Sequence, residues 1–197
     1  MRLGIYGGTF SPPHRGHTEA ARAFVEQLNL DKLLIIPTSL PPHKDFVEEA
    51  GEMCRLDMCK LAFSSILCAE VSDVEITRGG KSYTYMTLEH FADEKTELFF
   101  LCGTDMILTF DEWRRYEYIF SLATICYARR ERDKEISGKI EEKIRQYQQI
   151  GAKIIRINHE AVEISSSLIR SDIKSGKDTP YLDAKVREYI EKRGLYR

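Results

Sequence analysis

Two imidazoles beside a pair of glycines are the most chemically suggestive feature of the sequence. Gly7-Gly8-Thr9-Phe10-Ser11-Pro12-Pro13-His14-Arg15-Gly16-His17 follows a strand-like apolar run and precedes a helical run through Ala20, Ala21, Phe24 and Leu28. Paired glycines let the backbone turn tightly and bring its amides up to a charged ligand with no side chain between. His14 and His17 flank Gly16 at the mouth of the helix, where free N–H groups and the helix dipole favour an anion and imidazoles can donate to its oxygens. The pattern suits a phosphate. Taken alone, Gly7-Gly8 is an ordinary turn and the histidines are polar residues at a helix entrance. The stretch lacks the third glycine of G-x-G-x-x-G and the G-K-[ST] of a Walker loop, which weakens dinucleotide-oxidoreductase and P-loop assignments.

A second constellation, Ile164-Ser165-Ser166-Ser167-Leu168-Ile169-Arg170, has a serine cap at a helix start and an arginine one turn later. Hydroxyls, amides and a guanidinium would then face a common anion. Between the two lie Pro41-Pro42-His43-Lys44, Ser82-Tyr83-Thr84, Gly103-Thr104-Asp105 and Trp113. Each has a bland alternative: a solvated loop lysine, a helix-capping aspartate, a core tryptophan. Gly103-x-Asp105, however, ends a central strand, and a tryptophan suits a flat cationic ring.

These residues need a scaffold. Leu3 to Tyr6, Leu33 to Ile36, Leu98 to Leu101, Ala123 to Tyr127 and Ile154 to Ile157 are short apolar runs, several of them continuous, as in strands covered on both faces. Met53, Leu56, Cys59, Phe63 and Ile66 recur every three or four residues, as do Ile136, Ile140, Ile144 and Tyr147, which marks helix faces. Leu182, Val186, Tyr189 and Ile190 mark a C-terminal helix that packs back on the body. Alternation of strands and helices predicts an α/β fold, a Rossmann-like twisted parallel sheet flanked by helices, with its ligand crevice beyond the carboxyl ends of the strands. The prolines at 37, 41 and 42 mark a stiff loop, and Arg78 to Lys81 a turn. No repeat, linker or low-complexity tract divides the chain, so residues 1–197 are expected to form a single domain.

Composition narrows the function classes. The formal net charge of −2 offers no excess positive charge for gripping nucleic acid, so any phosphate must be held locally. No run approaches the roughly 20 apolar residues of a membrane span, and the sequence begins on a strand-like run rather than a leader, which predicts a cytoplasmic protein with no membrane partner. The five cysteines, Cys54, Cys59, Cys68, Cys102 and Cys126, are odd in number and form no C-x-x-C pair. That argues against a disulfide framework or zinc cluster, and no chemistry is assigned to them.

Gly7-Gly8-Thr9-Phe10 followed by His14-x-Gly16-His17 resembles the signature of His-x-Gly-His nucleotidylyltransferases, and the serine segment resembles their Ile-Ser-Ser-Thr-x-x-Arg motif. Ile35-Ile36-Pro37, Pro41-Pro42-His43-Lys44, Ser82-Tyr83-Thr84, Gly103-Thr104-Asp105, Trp113 and the closing Gly194-Leu195-Tyr196-Arg197 extend the resemblance, essentially end to end, to bacterial nicotinate-nucleotide adenylyltransferases. The resemblance implies adenylyl transfer from ATP to nicotinate mononucleotide in NAD biosynthesis. It implies ATP contacts at Gly7, Gly8, Thr9, Phe10, His14, His17, Gly103, Asp105, Ile164, Ser165, Ser166 and Arg170. Catalysis falls to His14, His17, Lys44 and Arg170, and acceptor binding to Lys44, Tyr83, Thr84, Trp113 and Arg114. Two departures stand out: Ser11 replaces the family's usual acidic or amide residue, and Ser167 its usual threonine.

Little chemistry is asked of such a site. The acceptor phosphate is mostly dianionic at neutral pH, with a second pKa of about 6, so no general base and no covalent intermediate are needed. Holding it in line with the α-phosphorus and neutralising developing charge suffice. Magnesium is expected to arrive with ATP rather than on protein ligands. Transfer to another phosphorylated small molecule, such as nicotinamide mononucleotide or pantetheine phosphate, and a non-catalytic nucleotide-binding module are the alternatives. A homo-oligomer is compatible with the sequence.

Overall fold

The computed structural model describes residues 1–41, 49–128, 134–159, 162 and 164–197, without the side chains of residues 134–136. Its strands are β1 (Arg2–Gly8), β2 (Lys32–Pro37), β3 (Ala69–Val71), β4 (Glu97–Gly103), β5 (Ala123–Ala128) and β6 (Ile154–Ile157). The helices are α1 (Arg15–Leu28), α2 (Glu52–Ala62), α3 (Val74–Arg78), α4 (Thr84–Phe91), α5 (Thr104–Leu108), α6 (Tyr116–Leu122), α7 (Lys134–Gln149), α8 (Ser166–Lys174) and α9 (Ala184–Arg193). Among the described residues the strands form one sheet of order β3-β2-β1-β4-β5-β6, every neighbouring pair parallel.

The apolar runs build this sheet because successive side chains alternate between its faces. Tyr6, Leu33, Ile35, Phe99 and Leu101 bury one face against Ala20 and Phe24 of α1, Met58 and Cys59 of α2, Ile169 of α8, and Val186 and Ile190 of α9. Leu3, Ile5, Leu34, Ile36, Leu98 and Phe100 bury the other against Leu88 of α4, Ile107 of α5, Ile119 and Phe120 of α6, and Ile140 and Tyr147 of α7. Both faces are thus covered, the condition under which an all-parallel sheet is stable.

The strand order places a reversal between β1 and β4, from which the chain builds outward in opposite directions. Ligands bind at such switch points beyond the carboxyl ends of the strands. Here those ends are Gly7-Gly8 and Gly103.

Several local expectations need correction. Strand β3 was not expected; it pairs Ala69 to Val71 with Leu33 to Ile35 at the sheet edge. Helix α2 stops at Ala62, although Phe63 and Ile66 remain buried beyond it, and Met53 is 59% exposed rather than on the buried face. Leu182 is buried just ahead of α9, whose N-cap is Asp183. The expected turn at Arg78 to Lys81 is present, with Gly79 and Gly80 at φ 68° and 71°. Among the described residues, no helix is long and apolar enough to cross a membrane. The five cysteines are free thiols, and burial pushes those of Cys59 and Cys126 upward, to about 12 at Cys126.

Candidate active site

The turn after β1 is shaped by close packing. Phe10 adopts φ 48° and is 2% exposed, its ring set edge-on to Tyr6, Phe63 and His17 at 5.4, 5.7 and 5.1 Å. A Cβ on Gly8 would lie 3.0 to 3.2 Å from that ring. The Phe10 side chain is therefore a brace for His17 within the core, while Gly7, Gly8 and Thr9 line an open cavity.

The two histidines sit together at the start of α1, ring centroids 3.8 Å apart and planes tilted by 32°. The His14 backbone N–H donates to His17 Nδ1 at 3.2 Å. A neutral imidazole that accepts at Nδ1 carries its proton on Nε2, leaving that nitrogen a donor. Gly16 permits the arrangement, since a Cβ there would stand 3.2 Å from the His14 ring and 3.3 Å from Ile164 Cγ2. The glycine thus lets the β1 turn and the segment before α8 approach closely.

That second segment is tied to the first through backbone carbonyls. Ser165 caps α8 by accepting from Leu168 N–H at 3.1 Å. Ser166 Oγ donates to Pro12 O at 2.9 Å, and Arg170 donates to Ser11 O at 2.8 Å, to Glu49 at 3.2 Å and to Ser167 Oγ at 3.4 Å. Lys174 also pairs with Glu49 at 2.9 Å, and that contact, with the Arg170 charge, holds the Glu49 carboxyl below its usual range.

Beside this cluster, at the β1–β4 reversal, lies a cavity of about 300 Å³. Gly7, Gly8 and Thr9 form one side, Tyr83, Thr84, Trp113 and Arg114 another, and Asp105 also lines it. Gly103 is the N-cap of α5, which sets Asp105 in the first turn of that helix. Trp113 stacks one ring face on Phe110 at 4.6 Å and 11°, with Phe100 edge-on at 6.2 Å. The Arg114 guanidinium lies over the Tyr83 ring at 4.9 Å. At the N-terminus of α4, Met86 N–H donates to Tyr83 O, and the amides of Thr84 and Tyr85 precede that first bond, as helix-opening donors do.

The histidines and the serine segment do not line that cavity. His14 lines a smaller one, about 210 Å³, with Arg15, Arg22 and Tyr181, and both imidazoles are buried, at 3% and 9% exposure. Lys44 lies outside the described residues. Among the described residues no group of three His, Cys, Asp or Glu could hold a metal ion.

A family model described as cytidylyltransferase-like matches residues 5–172. The chain belongs to the cytidylyltransferase-like family. It is 37% identical over 215 residues to the "Probable nicotinate-nucleotide adenylyltransferase" of Desulfatibacillum aliphaticivorans, covering 100% of both chains. It is 34% identical to the protein of the same name from Clostridium botulinum (strain Kyoto / Type A2), covering 98% of each. Among solved structures, Plasmodium falciparum nicotinic acid mononucleotide adenylyltransferase complexed with NaAD shares the fold at a TM-score of 0.75 and 20% identity, over 99% of this chain and 97% of that one. The same enzyme complexed with APC gives 0.74 and 19%, over 99% and 96%.

This cytidylyltransferase-like site also rests on residues the sequence did not single out. Arg55 is fully buried and donates to Thr9 O at 3.0 Å and Ser39 O at 3.4 Å, linking the β1 turn to the loop after β2. Glu75 is 5% exposed and lines the large cavity. It accepts from Thr87 Oγ1 at 2.6 Å, and Arg78 stands 3.9 Å away. Burial pushes its carboxyl above the usual range, partly offset by the Thr87 and Ser82 hydroxyls and by Arg78. Ser82 in turn accepts from Ser39 N–H at 3.0 Å, so Glu75 anchors the approach to α4. Neither Arg55 nor Glu75 belongs to a short motif; a charged residue four positions before buried Cys59 was the sole sequence signal for Arg55.

Proposed function

We propose that the chain is a nucleotidyltransferase that joins the adenylyl group of ATP to nicotinate mononucleotide, giving nicotinate adenine dinucleotide and pyrophosphate. The carrying observation is the single cavity at the β1–β4 reversal, where the glycine turn faces Thr84 and Trp113. A phosphate on the glycine side and a pyridine ring on Trp113 would then share one cavity. We place the enzyme in the cytoplasm, working as one unit over residues 1–197.

In this reaction an acceptor phosphate oxygen attacks the α-phosphorus of ATP, and the bond to the β-phosphate oxygen breaks with its electron pair on pyrophosphate. His17, with its donor Nε2, and His14 hold the transferred phosphoryl as charge develops. Arg170, Ser165 and Ser166 hold the triphosphate, with Lys44 assisting. Arg170 then exchanges its Glu49 contact for phosphate, a stronger bidentate partner. Asp105 and Gly103 meet the adenosine ribose. The amides of Thr84 and Tyr85 receive the nicotinate carboxylate, Trp113 stacks on the ring, and Tyr83 and Arg114 close that side. Magnesium, which would enter with ATP, would supply charge neutralisation at the phosphates.

Purified protein incubated with ATP and nicotinate mononucleotide should release pyrophosphate and form nicotinate adenine dinucleotide, detected by chromatography. Parallel incubations with pantetheine phosphate or with CTP should give no product. Turnover of either alone would overturn the assignment.

A further inference from the structure

We propose that Tyr147 of α7 is a positioning residue for the acceptor ring, acting through Phe110 on Trp113. The inference rests on the assignment of Trp113 as the stacking surface for the pyridine, and it extends the site to a helix with no described residue in the cavity wall.

Tyr147 is 3% exposed and lies behind the turn that carries Trp113. Its hydroxyl is 3.1 Å from Ile107 O and 3.0 Å from Asp111 Oδ1, and it accepts from Asp111 N–H at 3.3 Å. One oxygen thus grips both ends of the 107–111 turn. Lys143, one turn earlier on α7, adds an ion pair to Asp111 Oδ2 at 2.7 Å. Between the two grips stands Phe110, fully buried, stacked on Trp113 and also on Phe120 at 5.2 Å, with the Tyr147 ring at 6.3 Å and 60°. Trp113 N–H donates to Phe110 O at 3.1 Å, so ring and backbone both pass the position of Phe110 to Trp113.

The physical reason for such a brace is that a stacking surface discriminates poorly unless it is fixed. A ring held at one height over the helix-opening amides of α4 presents the pyridine substituent to them at one distance; a ring free to rock does not. The hydroxyl bonds to the turn add a directional restraint to the ring contacts and backbone bond that also hold Trp113.

Trp113 is the sole tryptophan of the chain, so its emission reports on this element directly. Tyr147→Phe removes the hydroxyl and keeps the ring. We expect acrylamide quenching of Trp113 to increase about two-fold and the KM for nicotinate mononucleotide to rise about 3- to 10-fold, the usual range for one lost hydrogen bond, with kcat and the KM for ATP within about two-fold of the parent. Asp111→Asn, at a carboxylate that is 41% exposed, should give a smaller change of the same pattern. Circular dichroism and the denaturation midpoint report whether each variant is folded. Unchanged quenching and unchanged acceptor KM in both folded variants would overturn the proposal, as would equal rises in both KM values. If the parent enzyme does not use nicotinate mononucleotide at all, the acceptor assignment fails by itself, and the quenching comparison still decides whether Tyr147 holds Trp113.

Discussion

Ser11 Oγ and Tyr196 Oη lie 3.0 Å apart in the buried interior, joining positions separated by 185 residues. Both side chains are nearly inaccessible, at 4% and 3% exposure, and burial pushes the Tyr196 hydroxyl up to about 12 despite the lowering effect of Ser11 and of the Arg170 and Arg55 charges. Here, then, the serine standing in place of the acidic or amide residue usual at this point of the motif is a partner for Tyr196. Ser11→Ala and Tyr196→Phe should each cost about 1 kcal/mol in urea denaturation, and the double variant little more than either. Fully additive losses would mean the contact contributes nothing. Ser11→Asp, which buries a carboxylate, should be worse than Ser11→Ala.

His17→Ala should leave a folded protein with a catalytic rate lower by about 10² to 10³, the usual loss on removing one preorganised donor to developing charge. Steady-state assay with circular dichroism checks this. Because His17 Nδ1 also accepts from His14 N–H, a modest drop in thermal midpoint should accompany the loss of activity. A folded variant with full activity would remove the imidazole from the mechanism.

Arg170→Ala should weaken ATP more than the pyridine mononucleotide, since the guanidinium is assigned to the triphosphate side. Separate KM determinations for the two substrates test it. Equal weakening would point instead to its bonds with Ser11 O and Glu49 as its main role.

Acceptor choice should turn on hydrogen bonding rather than stacking. An amide brings N–H donors where a carboxylate has acceptors only, so donors at the start of α4 leave the amide poorly paired. Nicotinate mononucleotide should exceed nicotinamide mononucleotide by at least about 10² in kcat/KM. Thr84→Val should erode that ratio, and Trp113→Ala should weaken both acceptors together. Comparable use of both by the parent enzyme contradicts the assignment.

Glu75 gives a pH test. Its carboxyl is raised above 4.5 by burial, so the native state binds its proton more tightly than the unfolded chain does. Its contribution to stability is therefore fully present below about pH 4.5 and is lost as pH rises through the raised value. Glu75→Gln retains an acceptor for Thr87 and carries no charge to bury. Measured by urea denaturation across this window, its stability relative to the parent should improve as pH rises. A difference independent of pH would show that the carboxylate is fully compensated by Arg78, Thr87 and Ser82.

Much of this architecture was legible in the sequence because contiguous patterns encode it. The five longer strands read as apolar runs, and both phosphate-type motifs are unbroken stretches with a cap or a glycine turn at a fixed offset. Strand β3 escaped because three residues at a sheet edge, half-buried Ala69 and Val71 around exposed Glu70, are too few to produce a periodic signal. In α2 the apolar spacing selected Met53, yet the buried position is taken by Arg55, whose guanidinium donates to Thr9 O and Ser39 O on distant segments. Glu75 was illegible for the same reason, its partners Ser82 and Thr87 being supplied by the turn and helix beyond it. Buried charges are chosen by partners in space, which hydropathy along a chain does not reveal.

The β1–β4 ladder has a consequence for how the protein becomes active. Leu3 pairs with Leu98 and Tyr6 with Leu101, so forming the ladder closes a loop that contains α1 to α4, β2 and β3. Parallel pairing over such separations is slow, and the cost of closing the intervening chain comes before any contact rewards it. The two sides of the cavity, at Gly8 after β1 and at Asp105 after β4, meet at that moment and no earlier. During refolding, helical signal should therefore return ahead of ligand binding, and each molecule should gain its catalytic cleft in one late, cooperative event.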